Sequence, residues 1–223
     1  MEMKVLFIGN SYTYFNDMPK LFENLSRENG KDVQVFSVTC GGHKLCEYAG
    51  GDDEYTRQID ELMKTHWFDV CFLQEHSFMP ITNYDLFIQG LMGLVNKLKP
   101  VVGKFILYET WGRKSGCPKL EELATTNKDM TFRLADAYYN ASQVINTQVS
   151  YVGLNFYDVY SQKTEMELYN EDMTHPSYTG SCLAALTHYY AVFCSYPENT
   201  ASISLTDTEK EILKNTVIKN LSV

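Results

Sequence analysis

The sequence has little of what would tie it to a membrane, a nucleic acid or a structural metal. No apolar run reaches the roughly 18 residues that a helix needs to cross a bilayer. Lys and Arg number 19 against 28 Asp and Glu, and the formal net charge is -9. This charge argues against a nucleic-acid or anionic-membrane partner, because both require a basic surface. The six cysteines include no C-x-x-C pair, so we expect no structural zinc site.

Signals for export and for disulfide cross-linking are also missing. No basic segment, apolar stretch and cleavage site precede the first predicted strand, so we expect a cytoplasmic protein unless a signal peptide has been removed. A chain of 223 residues does not need disulfides for stability, and we expect reduced, mostly buried thiols. With 44% hydrophobic and 21% charged residues, the composition is that of an ordinary globular protein. We predict one domain spanning residues 1–223.

Short apolar segments alternate with helical patterns, as in a parallel sheet covered by helices on both faces. We predict strands at residues 4–8, 33–38, 69–73, 104–108 and about 149–153. We predict helices at about 18–29, 54–65, 83–98, 119–146 and 178–195. Thr206 and Glu209 fit a capping box that begins an amphipathic C-terminal helix at about 206–221. These elements predict an α/β fold, a flavodoxin-like three-layer α/β/α sandwich with a five-stranded parallel sheet.

The turn after the first strand is the first candidate for chemistry. Gly9, Asn10 and Ser11 follow the apolar run directly, and a helical segment comes soon after them. In open α/β folds such a turn lies at the carboxyl edge of the sheet, where ligands bind. A serine at this position suits either a nucleophile or part of a phosphate-binding loop.

A second candidate lies near the C-terminus, where Asp172 precedes His175 by three residues and Pro176 follows. In a tight loop this spacing lets a carboxylate hold the imidazole Nδ1–H, and Nε2 is then free to accept a proton. Serine needs such a base because its hydroxyl is a weak nucleophile at neutral pH. Taken alone, the pattern is more typical of a surface turn than of a catalytic pair.

These pieces together resemble the GDSL-like, or SGNH, hydrolases. The resemblance is carried by the Gly-Asn-Ser block at residues 9–11, a glycine after the second strand, a polar side chain after the third, and Asp172-x-x-His175-Pro176. The order and spacing of these blocks cover residues 4 to about 190, which is most of the chain. The family implies a flavodoxin-like sandwich, ester hydrolysis, no metal and no cofactor.

Roles for individual residues follow from the resemblance. It implies that Ser11 is the nucleophile, His175 the general base and then acid, and Asp172 the group that orients the histidine. It implies an oxyanion hole made of the Ser11 N–H, a glycine N–H and a side-chain amide after the third strand. Either Gly41 or Gly42 has a suitable position for the glycine, and we favour Gly42.

The chain departs from the family pattern in two blocks. Asn10 stands where the family usually has Asp, although an Asn form is similar to many relatives. The usual G-x-N-D block is absent, and the nearest feature is Leu73-Gln74-Glu75-His76-Ser77. This segment resembles the Gln-containing block of carbohydrate acetylesterases in the same superfamily, so we predict Gln74 as the third oxyanion donor.

Polar and aromatic residues near these blocks are candidates for binding substrate. We assign this role to Asn10, His43, His76 and Trp111, because each follows a strand at the edge that carries Ser11. An aromatic plane such as Trp111 suits a sugar face, but a tryptophan packed among its neighbours is equally common. A single loop histidine is more often solvated than functional.

We therefore expect a serine esterase that removes a small acyl group from a small-molecule or carbohydrate ester, with no nucleic-acid or membrane partner. Acetyl and sugar are suggested by the Gln74 block and Trp111, and the triad does not imply them. Two alternatives stay open. One is a flavodoxin-like module that binds phosphate or a nucleotide at residues 9–13, which leaves Asp172 and His175 unused. The other is a degenerate family member that binds an ester or glycan without turnover.

Overall fold

The computed structural model describes residues 2–162 and 165–220, and its centre is a sheet of five parallel strands. The strands are β1 (Met3–Gly9), β2 (Val33–Thr39), β3 (Phe68–Leu73), β4 (Val102–Glu109) and β5 (Gln148–Tyr151). Their order across the sheet is β2-β1-β3-β4-β5. This order is the flavodoxin-like one, and it confirms the predicted fold class. It also makes the end of β1 a point where the chain direction across the sheet reverses, which is where ligands bind in such folds.

Helices cover both faces of this sheet. They are α1 (Ser11–Tyr14), α2 (Met18–Glu28), α3 (Leu45–Gly50), α4 (Glu54–Thr65), α5 (Met79–Thr82), α6 (Tyr84–Leu98), α7 (Pro118–Glu122), α8 (Asn127–Ile145), α9 (Val152–Ser161), α10 (Tyr178–Phe193) and α11 (Asp207–Asn220). No helix among the described residues is long and apolar enough to cross a membrane.

The alternation of side chains along β1 divides the interior into two cores. Val5 and Phe7 point to one face, where α2, α9, α10 and α11 pack. Leu6 and Ile8 point to the other face, where α3, α4, α6 and α8 pack. All four side chains are almost fully buried. Because both faces are covered, the strand is apolar on both sides, as is typical of parallel sheets. β1 is therefore rigidly held where it delivers the turn that follows it.

Two predicted boundaries are wrong. The helix predicted at 119–146 is two helices, because the chain turns at Ala124 with φ 47° and Thr126 caps a new helix by accepting from the Asp129 N–H. The last strand ends at Tyr151 rather than at 153, since α9 begins there. The buried Glu109 carboxyl group accepts from the Gly153 and Leu154 N–H groups and so caps this helix start.

The C-terminal helix has the predicted capping box. The Thr206 hydroxyl accepts from the Glu209 N–H at 3.3 Å, and the Glu209 carboxylate accepts from the Thr206 N–H at 2.8 Å. Helix α11 then buries Leu213 and Val217 against the core shared with α9 and α10. The helix runs from Asp207 to Asn220, and the last predicted residue, 221, lies outside the described residues.

All six cysteines are free thiols. Cys71, Cys117 and Cys182 are buried and Cys40 and Cys46 half-buried, so half of the thiols are buried rather than the predicted majority. Cys194 is exposed because the chain leaves α10 at this residue in a left-handed conformation, with φ 53°.

Candidate active site

Asn10 shapes the turn that carries Ser11. Its Oδ1 accepts from the Tyr12 N–H at 3.2 Å and so caps α1, while its Nδ2 donates to the His43 carbonyl at 3.0 Å. The side chain is buried and lies at the wall of a cleft, but both ends of its amide are engaged by the protein. Asn10 therefore ties the turn after β1 to the loop after β2, which fixes the start of α1 where Ser11 sits.

Gln74 holds the same turn from the side of β3. Its Oε1 accepts from the Asn10 N–H at 2.8 Å and from the Thr13 hydroxyl at 2.9 Å, and its Nε2 donates to the Glu75 carbonyl. The contact is close because Gly9 has no side chain: an added Cβ would lie 2.6 Å from Gln74 Oε1. The prediction of Gln74 as an oxyanion donor is corrected here, because its amide is 1% exposed and its N–H donates to the backbone.

The loop of Asp172 and His175 is a compact turn closed by its own hydrogen bonds. Asp172 Oδ1 accepts from the backbone N–H groups of Thr174 and His175, each at 2.9 Å, and the Asn170 N–H donates to the His175 carbonyl at 2.8 Å. Met173 adopts a left-handed conformation, with φ 58°, that lets the chain reverse. This turn leaves Asp172 Oδ2 directed at the imidazole.

Ser11, His175 and Asp172 form one line of contacts. His175 Nδ1 lies 2.5 Å from Asp172 Oδ2, and His175 Nε2 lies 2.8 Å from Ser11 Oγ. The Phe15 ring stacks on the imidazole with centroids 4.3 Å apart, which fixes the plane of the ring. The three side chains thus meet across 164 positions of sequence, with the geometry that nucleophile, base and orienting acid require.

Electrostatics around Asp172 favour its ionised form. Partial burial opposes ionisation, but the hydrogen bonds from the His175 side chain and from the backbone N–H groups of His175 and Thr174 outweigh it and hold the pKa of Asp172 below its usual value. An ionised Asp172 selects the imidazole tautomer with hydrogen on Nδ1, so that Nε2 faces Ser11 as an acceptor.

The serine and histidine open into a cleft of about 570 Å³. It is lined by Asn10, Ser11, Tyr12, Tyr14, Phe15, Gly41, Gly42, His76, Ser77, Arg113, Asp172, Thr174 and His175. Among the described residues, no acceptor is bonded to the N–H groups of Ser11 or Gly42. Gly42 has φ +75°, and its exposed backbone adopts this conformation without strain because it lacks a side chain. The Gly41 N–H also has no acceptor among the described residues, so the wall of the cleft carries three such backbone donors, those of Ser11, Gly41 and Gly42.

The residues predicted to bind substrate divide into two groups. Asn10 and His76 line the cleft, but His43 and Trp111 do not. His43 turns away from it, with Nε2 bonded to Asp53 at 2.8 Å. Trp111 is fully buried and stacks between Tyr12 and Phe156, with centroid distances of 4.5 and 4.1 Å. The binding roles of His43 and Trp111 are corrected accordingly.

Trp111 instead supports the histidine loop from below. Its indole N–H donates to the Thr174 carbonyl at 3.0 Å, one residue before His175. A flat apolar stack of three rings under this loop explains why a tryptophan stands after β4 without reaching the cleft.

Several cleft residues were not assigned a role from the sequence. Arg113 is the most prominent, and its Nη2 donates to the Ser77 hydroxyl at 3.2 Å while Nη1 donates to the Thr174 hydroxyl. The available signal was its place just after β4, at the same edge of the sheet as Ser11. The sequence does not indicate that Tyr14 and Phe15 line the cleft, because the backbone directly after them adopts left-handed conformations at Asn16 and Asp17.

Two ionisable groups after β3 have shifted pKa values. Burial raises the pKa of Glu75 to about 7, although hydrogen bonds from the His76 and Leu45 N–H groups oppose the shift. Burial and the nearby cations of Arg113 and Lys44 lower the pKa of His76, which keeps this imidazole neutral at physiological pH. No group of three or more His, Cys, Asp or Glu side chains suited to a metal ion occurs in the described part of the chain.

Comparison with known proteins gives no matching family model and no matching curated protein. Solved structures do match. A putative SGNH hydrolase from Slackia heliotrinireducens is 27% identical with a TM-score of 0.74, over 86% of this chain and 100% of that one. A DUF4886 family protein from Bacteroides uniformis is 16% identical with a TM-score of 0.81, over 99% of this chain and 95% of that one. An acetylxylan esterase from Geobacillus stearothermophilus is 16% identical with a TM-score of 0.63, over 86% of this chain and 94% of that one.

The fold and these matches define an α/β protein of the SGNH-hydrolase type. These similarities support the resemblance to the SGNH/GDSL-like superfamily that the sequence blocks predicted. The similarity to a putative hydrolase supports a hydrolase activity in general.

Proposed function

We propose that this protein is a serine esterase that removes a small acyl group, with acetyl as the expected case, from a hydroxylated molecule. The observation that carries the proposal is the unbroken line from Asp172 through His175 to Ser11, with contacts of 2.5 and 2.8 Å. A surface turn would not need its imidazole to reach a serine at the far end of the sequence. A phosphate-binding turn would leave the Asp172–His175 pair without a purpose.

The reaction follows from the positions of the three side chains. Ser11 Oγ attacks the ester carbonyl carbon while His175 Nε2 takes the hydroxyl proton, and Asp172 stabilises the imidazolium that forms. The tetrahedral intermediate collapses, its C–O bond to the alcohol breaks, and His175 returns the proton to the leaving alcohol. Water then attacks the acyl-enzyme with His175 again as base, which frees the acid and restores Ser11.

The negative charge of the intermediate would rest on the backbone N–H groups of Ser11 and of Gly42 or Gly41, which have no acceptors among the described residues and line the cleft. Gln74 supports this site indirectly, because its amide oxygen fixes the Asn10 N–H just before the nucleophile. Preorganised backbone donors are worth more than flexible ones, since they need not reorient during the reaction.

The structure of the cleft supports a small, hydroxylated substrate. Tyr14 is 41% exposed at its edge, and its ring stacks with Phe15 at 5.7 Å. These two rings offer the flat apolar surface that Trp111 was predicted to offer, and such a surface suits a sugar ring. One similar structure is described as an acetylxylan esterase, which agrees with acetyl on a carbohydrate as the substrate.

Hydrolysis of para-nitrophenyl acetate tests the proposal. Wild type should hydrolyse it, Ser11→Ala and His175→Ala should each lower kcat by at least about 10⁴-fold, and Asp172→Asn by about 10³-fold or more. Ser115→Ala is the matched control, because Ser115 is exposed and lies outside the cleft. An inactive wild type that retains a nucleotide or flavin would instead favour the phosphate-binding alternative.

A further inference from the structure

Arg113 is the cationic side chain of the candidate cleft, and its charge is not neutralised there. It lines the same cavity as Ser11 and His175. Among the described residues, its guanidinium donates to two neutral hydroxyls, those of Thr174 and Ser77. No carboxylate among the described residues lies within 4.0 Å of the guanidinium, and its buried Nε has no acceptor. A guanidinium with unused donors beside a cleft is a ready binding group for an anion.

Two neighbouring lysines are engaged elsewhere, and Lys44 does not line the cleft. Lys114, the next residue, pairs with Glu167, and Lys119 pairs with Glu122. The carboxylate of the cleft, Asp172, is committed to His175 by its hydrogen bond. Arg113 is therefore the cleft cation whose charge a ligand would meet.

The charges that act on His76 indicate a locally positive environment. After burial, the cations of Arg113, Lys44 and Lys119 lower the pKa of this histidine, and only Glu47 opposes them. This is notable in a chain with a formal net charge of -9, whose average field repels anions. Arg113 is thus a cationic group of the cleft on an acidic protein, beside an Asp172 carboxylate that is bonded to His175.

The position of Arg113 places this charge close to the proposed chemistry. Its Nη1 contacts the hydroxyl of Thr174, the residue directly before His175, and its Nη2 contacts Ser77, which follows the neighbouring β3. The Phe78 ring lies against the guanidinium, 5.8 Å from its carbon, and limits how far the side chain can swing. A group bound by Arg113 would belong to the same small molecule as the scissile ester.

We propose that the candidate site takes esters that carry an anionic oxygen group, such as a carboxylate, and that Arg113 binds this group. The inference rests on the proposed esterase function and names its substrate class. A planar guanidinium matches the two oxygens of a carboxylate with a forked pair of N–H donors, a geometry that lysine lacks. Arg113 is in this account a specificity residue, because it recognises the substrate without taking part in proton transfer.

Equilibrium binding to the Ser11→Ala variant tests the proposal without depending on turnover. Two matched pairs of esters are compared. Meta-acetoxybenzoate and meta-acetoxybenzamide differ by a charge on the alcohol side, and the para-nitrophenyl monoester of adipic acid and its primary amide differ by a charge on the acyl side. Each is titrated into Ser11→Ala, Ser11→Ala/Arg113→Gln and Ser11→Ala/Lys114→Gln. The Lys114 variant is the control, because it removes a neighbouring cation that does not line the cleft.

In at least one pair, the anion should bind at least about tenfold more tightly than the amide, as a charge-assisted hydrogen bond requires. This preference should disappear with Arg113→Gln and persist with Lys114→Gln. The pair that shows it identifies the side of the ester that carries the charge. If Arg113→Gln does not fold, Arg113→Lys should keep part of the preference, because it keeps the charge but loses the fork.

Equal binding of the anion and the amide in both pairs overturns the proposal, and so does a preference that survives Arg113→Gln. A purely structural role of Arg113 would weaken charged and neutral esters alike. Failure of the esterase function has a different signature: wild type would then hydrolyse none of the four esters, whatever their affinities.

Discussion

Asn10 and Gln74 show that residues beside a nucleophile can matter through the backbone they hold. Between them they engage the Asn10 N–H, the Tyr12 N–H and the His43 carbonyl. The Ser11 N–H then has no acceptor among the described residues, and its hydroxyl is aimed at His175. The sequence identifies such residues as polar and close to the site, but whether an amide faces the cleft or the turn depends on contacts made across the sheet.

Gln74→Leu separates a supporting role from an oxyanion role. The substitution leaves the buried Asn10 N–H and Thr13 hydroxyl without their acceptor, so we expect a loss of about 2–4 kcal/mol in the free energy of unfolding. Urea denaturation measures this loss, and kcat for para-nitrophenyl acetate should fall alongside it. Gln58→Leu, on the exposed side of α4, is the control. A fall in kcat with unchanged stability would restore Gln74 as a direct oxyanion donor.

At the scale of elements, the sequence predicts best where periodicity is strong. All five strands and the helix at 54–65 were predicted within a few residues, because β1 and its neighbours are apolar on both faces and α4 begins at a capping Asp53. Helix α9 was missed, because the group that caps it is Glu109, which lies 44 positions away in sequence. Such long-range caps leave no local pattern to read.

The site residues also differ in how well the sequence predicts them. Ser11, Asp172 and His175 were predicted from short blocks whose spacing is fixed locally, and the structure brings the three side chains into contact. Trp111 was misjudged, because whether a tryptophan at a strand end is buried depends on Tyr12 and Phe156, which pack on it from distant parts of the chain. The sequence therefore predicts which reactive side chains lie close together within a loop. It does not predict which way a side chain points, because that depends on packing against distant parts of the chain.

Helix α11 contributes to stability through its apolar face. Leu213 is fully buried against α9 and α10, so Leu213→Ala should lower the free energy of unfolding by about 2–5 kcal/mol. The control is Lys214→Ala at the next position, which removes only an exposed side chain. This substitution should change the free energy of unfolding by less than about 0.5 kcal/mol. Denaturant unfolding of both variants measures the difference. Equal effects of the two substitutions would mean that α11 does not pack on the core as described.

At the scale of the whole molecule, Glu75 makes stability depend on pH. Burial raises its pKa from an ordinary 4.5 to about 7 in the folded protein. Between these two values the unfolded chain releases the proton while the folded chain keeps it. The free energy of unfolding therefore falls as pH rises through this window, by on the order of 3 kcal/mol, and the penalty is complete above pH 7.

Glu75→Gln should remove this dependence. The free energy of unfolding of the variant minus that of wild type should be larger at pH 8 than at pH 4 by on the order of 3 kcal/mol. Urea unfolding of both proteins at the two pH values measures this change. Glu122→Gln, an exposed carboxyl replaced in the same way, is the control for general charge effects. A Glu75→Gln difference that is the same at both pH values would contradict a raised pKa at this carboxyl.

Covalent labelling tests the central claim, that Ser11 is activated by His175, most directly. Wild type is treated with phenylmethylsulfonyl fluoride, and the modified residue is located by intact mass and peptide mapping. We predict a single sulfonyl group on Ser11, no label in Ser11→Ala, and labelling slowed by at least about 10³-fold in His175→Ala. An unlabelled wild type, a label on another residue, or equal labelling of wild type and His175→Ala would contradict it.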